Sequence, residues 1–493
     1  MSSSGHHVGR NALWSVLNQS ASQILVLIVF LVNARFIPKE DFGAMAIAML
    51  VAEFFRQMII ESIGTTLLAK PAPDKQDYNA GFILVSGLSI LSAIVVYFSS
   101  GLIADVMRSE KIGYALEWIC LILLTFGLSR IHEAYLSKNM QFKKLALRSI
   151  FSVLVGGGVG IYMATEGYGL LSLIVQQLVT TFLSCLFLWV TTDWVPKPDT
   201  TRAKISELFH YAKHIATNNL SYLSSAQADV FLSGYFLGPI QTGVYNAAKR
   251  VTLAATLIVG SSIGSVSLPT LSSALKDNDH AKLEATFLGF VRFSSFLTAP
   301  IFSGMACLAF PIVAILLGDK WLDAAPALAI LSIASFFTTL GQFNGNLILS
   351  KARHFLKSIL AIGQAVSGVI LLFLMAPYGV EYAALAYALN CILVFPVMLH
   401  LSLKIAEISF GKYWEALWPS ILSSTLMSAA IFGGKYGFLV FDIILNPIAQ
   451  VLIFVPMGAV IYFAAMWIFS RETILESLHF VRASLEKALF NKG

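Results

Sequence analysis

Charge is what this chain has least of. Asp, Glu, Lys and Arg make up only 12% of its 493 residues, about half the share of a soluble domain. With 57% hydrophobic residues and a mean hydropathy of +0.76, that scarcity argues against a water-soluble fold. Cysteine is nearly absent as well. Cys120, Cys185, Cys307 and Cys391 all fall inside apolar stretches, which leaves no disulfide framework and no metal-ligand spacing. Long polar segments are missing too. The longest break between apolar stretches is 191–207, too short for a catalytic domain outside the membrane. No P-loop and no HExxH motif occur, which argues against ATP hydrolysis or zinc proteolysis within the chain. The first apolar stretch is not followed by a small-residue cleavage pattern, so no signal peptide is expected. The sequence calls for no cofactor and no metal.

What the chain does have is apolar runs of bilayer-spanning length. Fourteen are read: 12–34, 43–68, 79–101, 113–134, 147–165, 168–190, 208–234, 243–270, 286–317, 322–348, 356–376, 380–403, 413–434 and 446–469. The expected fold class is an all-α polytopic membrane protein of about 14 transmembrane helices. The stretch 208–234 is the most polar of them.

Basic residues divide unevenly between the two faces that fourteen spans define. One set of loops holds only Arg35, Lys39, Arg108, Lys111, Lys320 and Lys435, while the other set and the two ends of the chain hold many more. The positive-inside rule then places both termini in the cytoplasm. The net charge of +6 reflects this topology and does not point to nucleic acid. Beyond Arg471, the apolar residues Leu475, Leu478, Val481, Leu485 and Leu489 recur at helical spacing. They predict an amphipathic helix on the inner leaflet or against the bundle, or else a solvated extension of the last span.

The chain also repeats. Ala12, Asn18, Phe36, Gly43, Ala48, Val51, Ser62, Ile63, Gly64 and Leu68 each have an identical residue 200 positions later, without a gap. Leu136-Ser137-Lys138 after span four is echoed by Leu349-Ser350-Lys351 after span ten, and Tyr168-Gly169 by Tyr378-Gly379. The echoes keep their order and place. Two six-helix lobes in the same membrane orientation are therefore expected, 1–200 and 201–405. Two accessory helices (406–470) and the tail (471–493) follow. A membrane protein built from two similar halves has its site at the seam between them.

Polar residues inside the spans mark candidate positions for that site. Asn18 and its neighbours Asn11, Ser15 and Ser22 share one face of span one; Lys213, His214, Asn218, Ser221, Ser225 and Asp229 recur along span seven. Asn18 and Asn218 are repeat partners. Two such stripes predict a shared hydrated interior rather than isolated helix–helix hydrogen bonds. Span two carries Glu53, Gln57 and Glu61 as an i, i+4 ladder, with Arg56 a turn from Glu53. Counting ~1.5 Å per residue from Phe42 puts Arg56 ~20 Å deep, near the middle of a ~30 Å core. Two readings stay open for Arg56: a structural pair with Glu53, and a planar fork for phosphate. Spans seven and eight form a hairpin about Pro239, which sets Asp229 level with Lys249 and Arg250 and predicts a pair with one of them. Arg130, His132 and Glu133, near the inner end of span four, are expected to snorkel to the interface, with a role at the cavity entry as the second reading.

Several motifs resemble a known family. Ala34-Arg35-Phe36-Ile37-Pro38-Lys39-Glu40-Asp41-Phe42-Gly43 resembles the A-R-x-L-x-P-x-D-F-G signature of polysaccharide transporters. Asp229 with Gly234 to Gly238, then Gly243-Val244-Tyr245-Asn246-Ala247-Ala248-Lys249-Arg250, is similar to the pattern that opens their second half. Met140-Gln141-Phe142-Lys143 with Leu145-Ala146 is similar to their loop after span four. The resemblance is to Wzx-type polysaccharide flippases, in the superfamily that includes MATE exporters and lipid II flippases. It implies a bacterial inner-membrane protein that flips undecaprenyl-pyrophosphate-linked oligosaccharides by alternating access. Carried onto this chain, the cavity cations are Arg56, Lys249 and Arg250, with Arg35 near the outer mouth. Asp229, Glu53 and Glu61 become structural or coupling acids, and the acids beside Arg56 depart from a purely cationic phosphate site. The implied partners are the lipid-linked oligosaccharide and the bilayer, together with a polysaccharide polymerase and chain-length machinery; a monomer is expected. The alternative is a MATE-like cation-coupled exporter that uses the same acids. A membrane glycosyltransferase or polymerase fits the short loops poorly.

Overall fold

The computed structural model describes residues 22–276, 280–351 and 353–475, without the side chains of 218, 220–226, 258–270, 272–276 and 354. The described residues form helices and no strand. Asn18 and most of the tail therefore lie outside them, as do the side chains of Asn218, Ser221 and Ser225.

Eleven helices or helix runs among the described residues are long and apolar enough to cross a membrane. The three expected spans not among the eleven are 12–34, described from Ser22 as the shorter helix α1 (Ser22–Phe36), and 208–234 and 243–270. The last two lie in α8 (Arg202–Lys276), 75 residues broken only at Gly238 (φ 76°, ψ 177°). That backbone region admits glycine almost alone, and Pro239 then restarts the helix at a position that needs no N–H. The Tyr245 hydroxyl bonds Asp229 at 2.6 Å, whereas sixteen residues of straight helix would part them by ~24 Å. The chain thus folds back at Gly238, where the hairpin was expected.

Packing divides the chain into two compact units. The first runs through Ala247 and adds Gly368–Ala383; the second holds Ala248–Ser367 and everything from Ala384.

The first unit contains α1, α2 (Lys39–Phe55), α3 (Ser62–Ala69), α4 (Lys75–Val106), α5 (Glu110–Lys138), α6 (Phe142–Thr165), α7 (Leu170–Thr191) and α8 as far as Ala247. Pro38 precedes α2, whose first turn holds Glu40 and Asp41, acids that suit the positive end of the helix dipole. Both bind the Lys111 ammonium at 2.7 Å, which ties α2 to the start of α5. At the other end, Lys138 donates to the carbonyls of Leu68 and Lys70, two acceptors left over where α3 stops. Asp74 and Asp77 form a capping box at the start of α4. Gly156 and Gly160 on α6 lie against Gln176 and Thr180 of α7, the close approach that small residues permit between membrane helices.

The second unit contains α9 (His280–Cys307), α10 (Ala309–Leu316), α11 (Ala325–Ser350), α14 (Phe410–Val440) and α15 (Pro447–Phe469), with parts of α12 (His354–Met375) and α13 (Val380–Ala406). Its core joins α9, α11 and α14: Phe290 stacks on Phe343 at 6.2 Å and Phe287 on Tyr413 at 6.1 Å. The two C-terminal helices pack on α9, where the Tyr462 hydroxyl donates to the Phe296 carbonyl at 2.8 Å. Prolines interrupt α9, α13, α14 and α15 internally at Pro300, Pro396, Pro419 and Pro456. Helices α4 to α7 contain no internal proline.

Candidate functional site

Between α2 and α3 the backbone widens into a π-helical turn, Arg56–Glu61. In an α-helix, residues five apart lie about 140° out of register. An i to i+5 turn stacks them, and Arg56 Nη1 meets Glu61 Oε1 at 2.6 Å. The other edge of the same guanidinium forks onto Glu53, Nε to Oε2 at 2.7 Å and Nη2 to Oε1 at 2.6 Å. Gln57 adds a bond to Glu53 at 2.8 Å, while Glu61 leaves the expected ladder to face Arg56. A lone arginine at mid-membrane costs about 2.5–3.5 kcal/mol on insertion scales; the bidentate, charge-assisted contacts offset that cost. The guanidinium also lies 5.6 Å from the Phe126 ring centre.

The pairing continues away from span two. Arg130 Nη2 reaches Glu61 Oε2 at 2.9 Å, and Arg130 Nη1 lies 3.8 Å from Glu133. Arg148 of α6 contacts Glu133 at 3.3 Å. The result is an alternating chain, Glu53–Arg56–Glu61–Arg130–Glu133–Arg148, with three charges of each sign. Snorkelling was expected for Arg130, His132 and Glu133, and the structure corrects this for Arg130 and His132. Arg130 is only 9% exposed, with its guanidinium against Gly64. Its two acids hold it inside the bundle. His132 is buried among Trp189, Trp194 and Phe82. The signal for Arg130 was in the sequence, since an Arg and a Glu three apart inside an apolar stretch share a helix face.

A π-turn disturbs the hydrogen-bond ladder and leaves a carbonyl seeking a donor. The Gln57 carbonyl accepts from the Ser62 hydroxyl at 3.0 Å and from Asn219 Nδ2 at 2.9 Å. Asn219 also reaches Ser62 Oγ at 3.1 Å. The asparagine that meets span two is thus the neighbour of the one singled out from the repeat.

In the α8 hairpin, Asp229 is buried and accepts from the Tyr245 hydroxyl and the Val230 amide. Tyr245 was passed over in the sequence as a partner for Asp229: it lies six residues past Pro239, about a turn short of the level position. Lys249 is buried, with its ammonium 5.9 Å from the Tyr387 ring centre. Arg250 is exposed, as are Lys213, His214 and Arg35, the last at the C-terminal end of α1. Arg56, Glu53 and Glu61 thus come together, whereas Arg35, Lys213 and His214 lie elsewhere along their helices. Outside the spans, Lys204 bonds Asp74 and holds its carboxyl below the usual range, and Asp77 raises Lys70.

Membrane-length helices with ion pairs at mid-span define a polytopic helical membrane protein. Residues 32–326 match the family described as polysaccharide biosynthesis protein, more than half of the chain, and the chain belongs to that family. It is 23% identical over 333 residues to the succinoglycan biosynthesis transport protein ExoT of Rhizobium meliloti (strain 1021), covering 67% of each chain. It is 21% identical over 344 residues to the lipopolysaccharide biosynthesis protein WzxC of Escherichia coli (strain K12), covering 69% of this chain and 70% of the other. Its fold is similar to the inward closed conformation of the lipid II flippase MurJ, with a TM-score of 0.76 and 17% identity over 94% of this chain and 100% of that one.

Proposed function

We propose that the protein flips lipid-linked oligosaccharide repeat units, carried on undecaprenyl pyrophosphate, across a bacterial inner membrane during surface polysaccharide synthesis. The observation that carries this reading is the arginine at mid-membrane on a π-turn, within a chain of the polysaccharide biosynthesis family. A diphosphate is the most costly part of such a substrate to bring into a bilayer. Guanidinium forks match its oxygens. No covalent step is needed: two conformations with different affinity for the headgroup suffice.

Both termini face the cytoplasm in this reading, as the basic loops favour. Lys249 and Arg250 supply further positive charge to the headgroup path. Asn18 and Asn218 contact sugars, and Lys213, His214 and Arg35 line the approaches. The protein works as a monomer, handing its cargo to a polymerase and chain-length machinery.

Cation-coupled drug export would need carboxylates available to a proton or ion. Glu53 and Glu61 are both committed to arginine, which weighs against that alternative. The test is the double variant Arg56→Ala/Arg250→Ala in a strain lacking the native copy. Surface polysaccharide should disappear while the protein stays in the membrane. Normal export by a well-expressed double variant would refute the assignment of these cations.

A further inference from the structure

We infer that Glu61 is a built-in stand-in for the substrate's diphosphate, and that Arg56 and Arg130 together form the anion seat it occupies. The inference rests on the flippase reading above and deepens it. One carboxylate of Glu61 bridges two guanidinium groups, Oε1 to Arg56 at 2.6 Å and Oε2 to Arg130 at 2.9 Å. An anion bridging two guanidinium groups is a contact set that a phosphoryl group can make. Glu61 is also the acid in the chain best placed to leave. Glu53 is fixed by two bonds from Arg56 and one from Gln57, whereas Glu61 receives a single contact from each arginine.

Charge balance requires a displacement. The three arginines are matched by three glutamates, so an arriving dianion finds no surplus of positive charge. It gains a seat only by taking contacts that a carboxylate now makes. Arg56 and Glu61 are 26% and 23% exposed, so both are reachable, while Arg130 anchors the seat from the buried side. The backbone gives the exchange a consequence. Arg56 and Glu61 are in register only because the segment between them is π-helical. If the turn relaxes to α-helix, Glu61 rotates away by about 140° and both arginines open to the ligand. Asn219, bonded to the Gln57 carbonyl, stabilises the π-turn and with it the self-occupied state. The empty site thus carries its own competitor, which weakens diphosphate binding and assists release.

The experiment uses the full-length protein in lipid nanodiscs, with inorganic pyrophosphate as the probe in calorimetric titration. Glu61→Gln removes the competing charge and should tighten pyrophosphate binding by about tenfold. Arg56→Gln in the same background should abolish the gain. Glu61→Asp, one methylene shorter, should give a smaller gain and serves if the glutamine variant does not fold. Binding no tighter than wild type in folded Glu61→Gln or Glu61→Asp would overturn the inference and leave Glu61 as a positioning residue. Export of surface polysaccharide by the wild-type gene in a deletion strain separates the two readings. If export is restored and the variants bind no tighter, only the role of Glu61 falls. If export does not depend on the protein, the flippase reading itself falls.

Discussion

Gly43 and Gly243, two hundred residues apart, meet across reciprocal contacts. A Cβ on Gly43 would overlap the carbonyl of Pro239 and lie 2.9 Å from the Gly243 nitrogen. A Cβ on Gly243 would overlap the carbonyl of Lys39 and lie 3.2 Å from the Gly43 nitrogen. Positions 39 and 239 carry the same offset, so α2 and the second arm of α8 cross with a local two-fold relation at their starts. Backbones this close leave no room for any side chain.

Alanine at either position should therefore force the helices apart. Gly43→Ala and Gly243→Ala are each expected to cost about 1–3 kcal/mol, the usual range for overpacking, read as lower thermal stability in detergent. Gly158→Ala, with open space around its Cβ position, is the control. It should be neutral, or stabilising by about 0.5–1 kcal/mol as a better helix former. Wild-type stability of Gly43→Ala would contradict the crossing.

The membrane-length helices were legible because a run of some twenty apolar residues has few other uses in a folded chain. The turn at Gly238–Pro239 was legible from residue type. The contact of Arg56 with Glu61 was not, because α-helical periodicity sets those two residues on different faces and nothing in local propensity announces a π-turn. The burial of Arg130 escaped for a related reason. Glu133 lies one turn on in the same helix and was readable, but Glu61 comes from another segment, and only packing brings it to Arg130. Tyr245 was missed because a search for opposite charges overlooks a neutral donor.

Arg130 offers a sharp test of its placement. Arg130→Gln removes the link between Glu61 and Glu133, which keep Arg56 and Arg148 as partners, and should cost about 1.5–3 kcal/mol, the range for hydrogen bonds to charged groups. Combined with Glu61→Gln, the two losses should fall well short of additive, since the residues share one interaction. An arginine snorkelling at the interface would give a change within about 0.5 kcal/mol.

Asn219 closes the π-turn by satisfying the Gln57 carbonyl. Asn219→Ala should cost about 0.5–1.5 kcal/mol, the net worth of one hydrogen bond, since the Ser62 hydroxyl still donates to the Gln57 carbonyl. Asn139→Ala removes an exposed side-chain bond to a carbonyl on its own helix and should stay within about 0.5 kcal/mol. Equal effects of the two changes on thermal unfolding would show that the contact to Gln57 contributes nothing.

The central claim is that this chain moves a lipid-linked oligosaccharide between leaflets. The direct measurement compares sealed spheroplasts with and without the gene, in cells that make the glycan but lack its polymerase. A membrane-impermeant reagent labels sugar headgroups on the outer leaflet. Labelled lipid-linked oligosaccharide should appear when the gene is present. Without the gene it should vanish from the outer leaflet while the same lipid accumulates unlabelled inside. Equal labelling in both strains would contradict the account.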